Sequence, residues 1–300
     1  MGRSLYQVIL AATMLFGLGI LFGCTGDQGP QGPQGPTGPI GPQGDPGETV
    51  PFITGTISAP RHTVNWDEVY GSADVYVVKA PSVPSVTVNS LPIDLSLQYP
   101  DGKLNYHNGD LPVSGGENAD VKISYTKTDQ TAGLAQGIVT VPGDFAVTGD
   151  SLVVAPGDTV HLDWSPASGA DGYFAMLRVF VAYVDTSGSN HGLTFEMDTV
   201  ITDTTFAQPA DAFFPDPNTL AGYISYDAQL DVSAVSGPLY VGDAGNIDGD
   251  GYGFIYGWND GPDVTLDLDI MLTQKSAGVS ERYDPLEAFR EYTNRLSRLR

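Results

Sequence analysis

Three oxygen-bearing residues, Asn246, Asp248 and Asp250, stand at alternate positions in the stretch Gly245–Gly253, with Gly251 directly behind them. Side-chain oxygens at that spacing converge on one hard cation when glycines let the chain fold tightly, and the order matches the opening of a calcium loop, D-x-[DN]-x-[DN]-G. The twelfth position counted from Asn246 is Gly257, where such loops supply a bidentate glutamate, and no helical pattern flanks the segment. Two readings follow. One is a calcium site with the ~10⁻⁴–10⁻³ M affinity of extracellular modules. The other is a Gly/Asp-rich turn with its carboxylates in water. No other cofactor is expected.

Immediately after it, Tyr252, Phe254, Tyr256 and Trp258 occupy even positions, so a strand here puts all four on one face. A planar row of that kind can hold sugar rings, with Tyr252, Tyr256 and Trp258 as the ligand-binding candidates. It can equally be the core side of a strand, and the intervening Gly251, Gly253 and Gly257 favour core because they leave little to pack on the other face. His62, His107, His161 and His191 are scattered and form no zinc-protease spacing; His161 and Asp163 share a strand face, where they read either as a metal-binding pair or, the favoured reading, as an exposed polar face. No nucleophile elbow, phosphate loop or paired catalytic carboxylates stand out, so an enzyme is not expected.

The elements that must position these residues are strands. From Thr49 onward the chain alternates apolar residues rich in Val, Thr, Ile and Tyr with Gly, Pro, Asn and Asp, which predicts an all-β protein built of sandwiches. Predicted strands are Phe52–Ile57, Asp74–Val78, Ser85–Val88, Ile93–Tyr99, Asp120–Tyr125 and Ala135–Val141, with turns at Asp101-Gly102, Asn108-Gly109 and Gly115-Gly116. After a crossover at Val141-Pro142-Gly143 come Phe145–Val147, Ser151–Ala155, Val160–Trp164, Tyr173–Tyr183, Thr204–Gln208, Gln229–Val235 and Val264–Leu272. Long loops are expected at Asp185–Gly192, Ala210–Leu220 and Gly237–Gly261. In the tail, Leu286, Phe289, Tyr292, Leu296 and Leu299 recur at helical spacing among five arginines, with Ser280 and Asp284 as candidate caps and Pro285 in the first turn. That predicts a short amphipathic helix docked on, or trailing from, the acidic body.

Charge excludes one partner class. The formal net charge is −23, and between Val179 and Gln274 there is no Lys or Arg against fifteen Asp and Glu. A nucleic-acid backbone would be repelled, so no nucleic acid is expected as a partner.

The first 23 residues carry one charge, Arg3, and the apolar run Val8–Phe22, which reads as an export signal. Cys24 is the sole cysteine, so the exported part holds no disulfide and no thiolate metal site. Eight unbroken triplets follow, with glycine at 26, 29, 32, 35, 38, 41, 44 and 47 and proline second at 30, 33, 36, 39 and 42. Only glycine fits the axis where three polyproline-II chains wind together. Extended at about 3 Å per residue the triplets reach roughly 70 Å. A homotrimeric triple helix and a monomeric semi-rigid spacer both fit, though strict glycine register has a use only in the trimer.

Leu21-Phe22-Gly23-Cys24 resembles the lipobox of bacterial lipoproteins. That resemblance implies acylation of Cys24 and an exported chain lipid-anchored at the cell envelope, on the outer membrane or cell surface; the alternative is an uncleaved transmembrane anchor with Cys24 an ordinary thiol. The triplets are similar to collagen. The segment from Thr159 to Val181 resembles the B–C region of fibronectin type III domains, which implies Trp164 as core tryptophan and Tyr173 as its neighbour. The expected organisation is a signal peptide (1–23), lipidated Cys24 with a collagen-like stalk (24–49), an immunoglobulin-like sandwich (50–142), a fibronectin-III-like sandwich (143–275) and an Arg-rich amphipathic tail (276–300). The expected function is non-enzymatic structural or adhesive display, with an extracellular protein or glycan as partner. The alternative is a carbohydrate- or substrate-binding surface module.

Overall fold

Period-two burial is clearest in the strands Asn118–Thr126, Ala132–Thr140, Thr159–Asp163 and Val264–Leu268. A computed structural model of the chain describes residues 49–61, 70–148, 151–240, 242–262, 264–271 and 284–297. The signal segment, Cys24 and the glycine triplets lie outside them. The described residues belong to one compact unit, Gly47–Arg300.

The first seven strands are β1 (Phe52–Ser58), β2 (Gly71–Val78), β3 (Ser85–Val88), β4 (Leu91–Gln98), β5 (Leu104–Leu111), β6 (Asn118–Thr126) and β7 (Ala132–Thr140). Then come β8 (Ser151–Val154), β9 (Thr159–Asp163), β10 (Gly172–Asp185), β11 (Asn190–Ile201), β12 (Thr205–Pro209) and β13 (Leu220–Ser236), with a 3-10 turn at Ala210–Phe213. The last are β14 (Ile247–Gly249), β15 (Tyr252–Asp260), β16 (Val264–Leu268) and helix α1 (Pro285–Ser297).

Two hydrophobic cores result. In the first, strict alternation along β6 and β7 turns Val121, Ile123, Ala135 and Val139 inward to meet Ile53, Ile57, Val75 and Leu111. In the second, β9 and β12 form a two-stranded sheet facing β10, β13 and β16, and Leu162, Trp164, Tyr173, Leu177, Phe206, Phe213 and Leu230 fill the space between. Val160, Leu162 and Trp164 are buried while His161 and Asp163 face out, as alternation requires. The rings of Trp164 and Tyr173 meet at 5.2 Å, nearly edge-on.

The cores are joined through hydrogen-bonded strands rather than by a simple linker. One path runs β11-β10-β13-β15-β1-β2-β5-β4-β3-β6-β7-β14, with β16 beside β13 and β8 beside β16. The join is β15. It lies parallel to the whole of β1, Phe52 opposite Tyr252 through Ser58 opposite Trp258, and its far end pairs with β13. Residues 247–260, expected in a loop of the second sandwich, therefore supply two strands that complete the first core, where Ile247 and Ile255 are buried. Glycine permits this. A Cβ on Gly253 would sit 1.7 Å from the carbonyl oxygen of Ile53, and one on Gly257 2.2 Å from that of Thr140. The glycine side of β15 is where two neighbouring backbones approach.

Two other stretches differ from expectation. Leu104–Leu111 runs as a strand through Asn108-Gly109, and a register shift between Gly71 and Ala73 on β2 absorbs the irregularity. The segment Asn190–Ile201, whose polar residues mask its alternation, pairs with β10 from Tyr173–Ile201 to Val184–Asn190.

Candidate functional site at the seam of the two cores

Where the cores meet, helix α1 covers one face of the joining strands. Its start is fixed by Asp284, whose Oδ1 accepts from the Leu286 N–H at 2.9 Å and whose carbonyl accepts from the Ala288 N–H at 3.1 Å. Side-chain capping of this kind satisfies amide groups that the first helical turn leaves open. Phe289 is fully buried among Phe174, Tyr256 and Trp258, with ring centroids 5.3, 5.3 and 4.9 Å away. On the adjacent turn Arg290 forms an ion pair with Asp74 and hydrogen-bonds Thr56. Asp74 also meets His107 Nδ1 at 3.0 Å. Further along the helix, Arg295 reaches Asp198 at 3.5 Å, a carboxylate that Arg178 holds at 2.6 Å.

The aromatic row is thus divided. Tyr256 and Trp258 are 3% and 1% exposed, walled in by Phe289, whereas Tyr252 at the start of β15 is 51% exposed and leans on Phe52. Trp258 Nε1 donates to Asp260 at 2.9 Å, which also accepts from Ser233 Oγ at 3.0 Å and pairs with Arg61 at 3.3 Å. Burial pushes the Asp260 carboxyl up, against the opposing pull of Arg61. Of the three proposed sugar-stacking residues, only Tyr252 offers a ring face to solvent.

The calcium candidates also separate in role. The amide of Asn246 clips the backbone of Ile255, its Oδ1 accepting from the N–H at 2.8 Å and its Nδ2 donating to the carbonyl at 2.7 Å. Asp250 accepts from Lys127 Nζ at 2.6 Å and from the Leu134 N–H at 3.0 Å. Lys127 and that amide hold its carboxyl below the usual carboxylate range. Asp248 sits exposed on β14, opposite Gln136. Among the described residues no group of three or more His, Cys, Asp or Glu is placed to share a metal ion. The oxygens at 246 and 250 fasten the β14–β15 segment onto β15 itself and onto β7.

Histidines 161 and 191 each lie beside a carboxylate at the surface: His161 Nδ1 is 3.6 Å from Asp163, and His191 Nε2 is 2.9 Å from Asp185. The serine and histidine bonds on Asp185 hold its carboxyl far below the usual range, and the group serves the β10–β11 turn. Cys24 lies outside the described residues. No helix among the described residues is long and apolar enough to cross a membrane.

Beside the Phe289 cluster, with which it shares Leu239, is an open groove of about 700 Å³, within the size range of small-ligand sites. Three separated segments line it: the end of β7 at 138–140, the turn at 169–171 before β10, and residues 236–240 with Asp243, Ala244 and Asn246. Ile138 and Tyr240 are 65% and 44% exposed on its walls. Two carboxylates are held in place by backbone amides: Asp171 Oδ2 accepts from the Gly237 N–H at 2.8 Å, and Asp243 Oδ2 accepts from the Tyr240 N–H at 2.7 Å. The sequence pattern gives no signal for this groove. Asp171 lies just before the expected strand Tyr173–Tyr183, and Tyr240 and Asp243 fall in an expected loop; the β10–β13 pairing brings these two segments together, and the end of β7 joins them from the first core. No protein-family model matches this chain, and no curated protein matches it either.

Proposed function

We propose that the chain is an exported, non-enzymatic lipoprotein that displays a stiff β-sheet head at the cell envelope, on a collagen-like stalk, for structural or adhesive contact. The observation that carries this reading is the eight-triplet glycine register behind a lipobox cysteine, leading directly into β1. A head for display at the end of a spacer must keep its shape without disulfides. The parallel pairing of β1 with β15 and the helix seated across the seam are suited to that task. In finer terms, we read the part around the first core as immunoglobulin-like. We read the second as fibronectin-III-like, since β9 and β12 oppose β11, β10, β13 and β16 around Trp164 and Tyr173.

The test is metabolic labelling of the full chain with a radiolabelled or clickable palmitate, followed by membrane fractionation, for the wild type and Cys24→Ala. Incorporation that disappears in the variant, together with release of the chain from the membrane, supports the lipoprotein reading. A Cys24→Ala chain that stays in the membrane, with no palmitate on the wild type, replaces it with a transmembrane anchor. Light scattering on the detergent-solubilised full chain then separates a trimeric stalk from a monomeric spacer.

A further inference from the structure

The seam groove has the composition of a saccharide site, and we infer that it binds a neutral oligosaccharide. A sugar ring presents an apolar C–H face and a rim of hydroxyl donors. The groove offers the complement of both. Tyr240 and Ile138 expose apolar surface within this one concavity. Asp171 and Asp243 supply acceptors whose orientation is set in advance, because a backbone N–H pins one oxygen of each. Among the described residues no protein donor is bonded to the other oxygen, Oδ1, of either. Charge-assisted hydrogen bonds from hydroxyls to a fixed carboxylate are stronger than neutral ones and lose little entropy on binding.

Other ligand classes fit less well. An anion would meet two carboxylates on a chain of net charge −23. Among the described residues a cation would find only those two carboxylates, since the side-chain oxygen of the nearby Asn246 is taken by the Ile255 amide. The walls come from both cores, and ligand sites favour such junctions. Binding here is independent of how the chain is anchored, so loss of the lipid reading would leave it standing.

The experiment is saturation-transfer NMR and titration calorimetry on the full chain with maltohexaose, cellohexaose and mannohexaose, and with hexalysine as a charged probe. The variants are Tyr240→Ala, Ala244→Arg, which fills the groove from an exposed position, and Tyr252→Ala on the exposed end of the aromatic row. Thermal melts check that each variant is folded. The expected result is binding of at least one hexasaccharide, weakened tenfold or more by Tyr240→Ala and by Ala244→Arg and changed less than twofold by Tyr252→Ala. Absence of saccharide binding at 10 mM ligand overturns the inference. So does saccharide binding that only Tyr252→Ala weakens, which would move the site to β15. Hexalysine binding that salt abolishes, without saccharide binding, would reduce the groove to part of a general acidic surface.

Discussion

The ring of Phe289 lies 4.9 Å from that of Trp258, tilted by 39°, and joins a helix near the end of the chain to the strand shared by both cores. Phe289 is fully buried and also meets Phe174 and Tyr256, so one side chain closes an aromatic cluster that would otherwise face water. Phe289→Ala should cost about 3–5 kcal/mol, the range for emptying an aromatic core site. Denaturant titration followed by tryptophan emission measures it directly. The variant should also bind a hydrophobic dye that the wild type excludes.

Arg290 and Asp74 fix the same helix laterally. Asp74 is largely buried, and removing either partner leaves the other charge with reduced compensation. Double-mutant analysis with Arg290→Met and Asp74→Asn should give a coupling of about 1–3 kcal/mol. A coupling near zero would mean that the aromatic contacts alone hold the helix.

Gly253 is the tightest backbone approach in the seam. An added Cβ would collide with Ile53 backbone that has neighbours on both sides, and φ is +148°. Gly253→Ala should lower stability by more than about 3 kcal/mol, beyond the ~1–3 kcal/mol that a sparsely populated dihedral costs by itself. Gly188, also at positive φ but with nothing within 4 Å of an added Cβ, is the control and should show only that smaller cost. Thermal or denaturant unfolding of both variants decides between crowding and dihedral strain.

Asp250 gives the pH dependence a sign. Its folded-state pKa is depressed by Lys127 and the Leu134 amide, so its contribution is present above the unfolded pKa and is lost as pH falls through the folded value. That window lies below about pH 4. Melting curves from pH 6 down to pH 2 should show a smaller acid-induced drop for Asp250→Asn than for the wild type. At neutral pH, millimolar calcium should leave the melting temperature unchanged, because the oxygens of Asn246 and Asp250 are already engaged by protein donors.

The strands that alternate cleanly were readable from their pattern: β6 and β9 lie within two residues of their expected bounds, and β7 within three. So was the start of the helix, where Asp284 is one of the two expected caps. What escaped the sequence depends on distant partners. β11 carries polar residues on a partly exposed hairpin, so its alternation is weak until β10 stands beside it. β15 reads as an aromatic row with idle glycines; those glycines are used, but by β1 and β7, about two hundred and one hundred residues earlier. Tyr256 and Trp258 look available for a ligand only until Phe289, thirty residues later, is placed on them. Side chains that act within one turn or one hairpin were legible. Those that act across the seam were not.

The position of β1 has a mechanical consequence. It is the first strand after the glycine triplets, so tension carried along that part of the chain enters the head at Phe52. β1 is not an edge strand that can be peeled off one hydrogen bond at a time. All seven of its residues are in register with β15 on one side and β2 on the other, parallel to the first and antiparallel to the second. A pull along its axis loads both ladders in shear, so many bonds must yield together. Survival under force is set by the rate of unfolding rather than by equilibrium stability. The glycine triplets thus lead into a strand held on both sides, an arrangement that would resist a pull on them if the proposed display role holds.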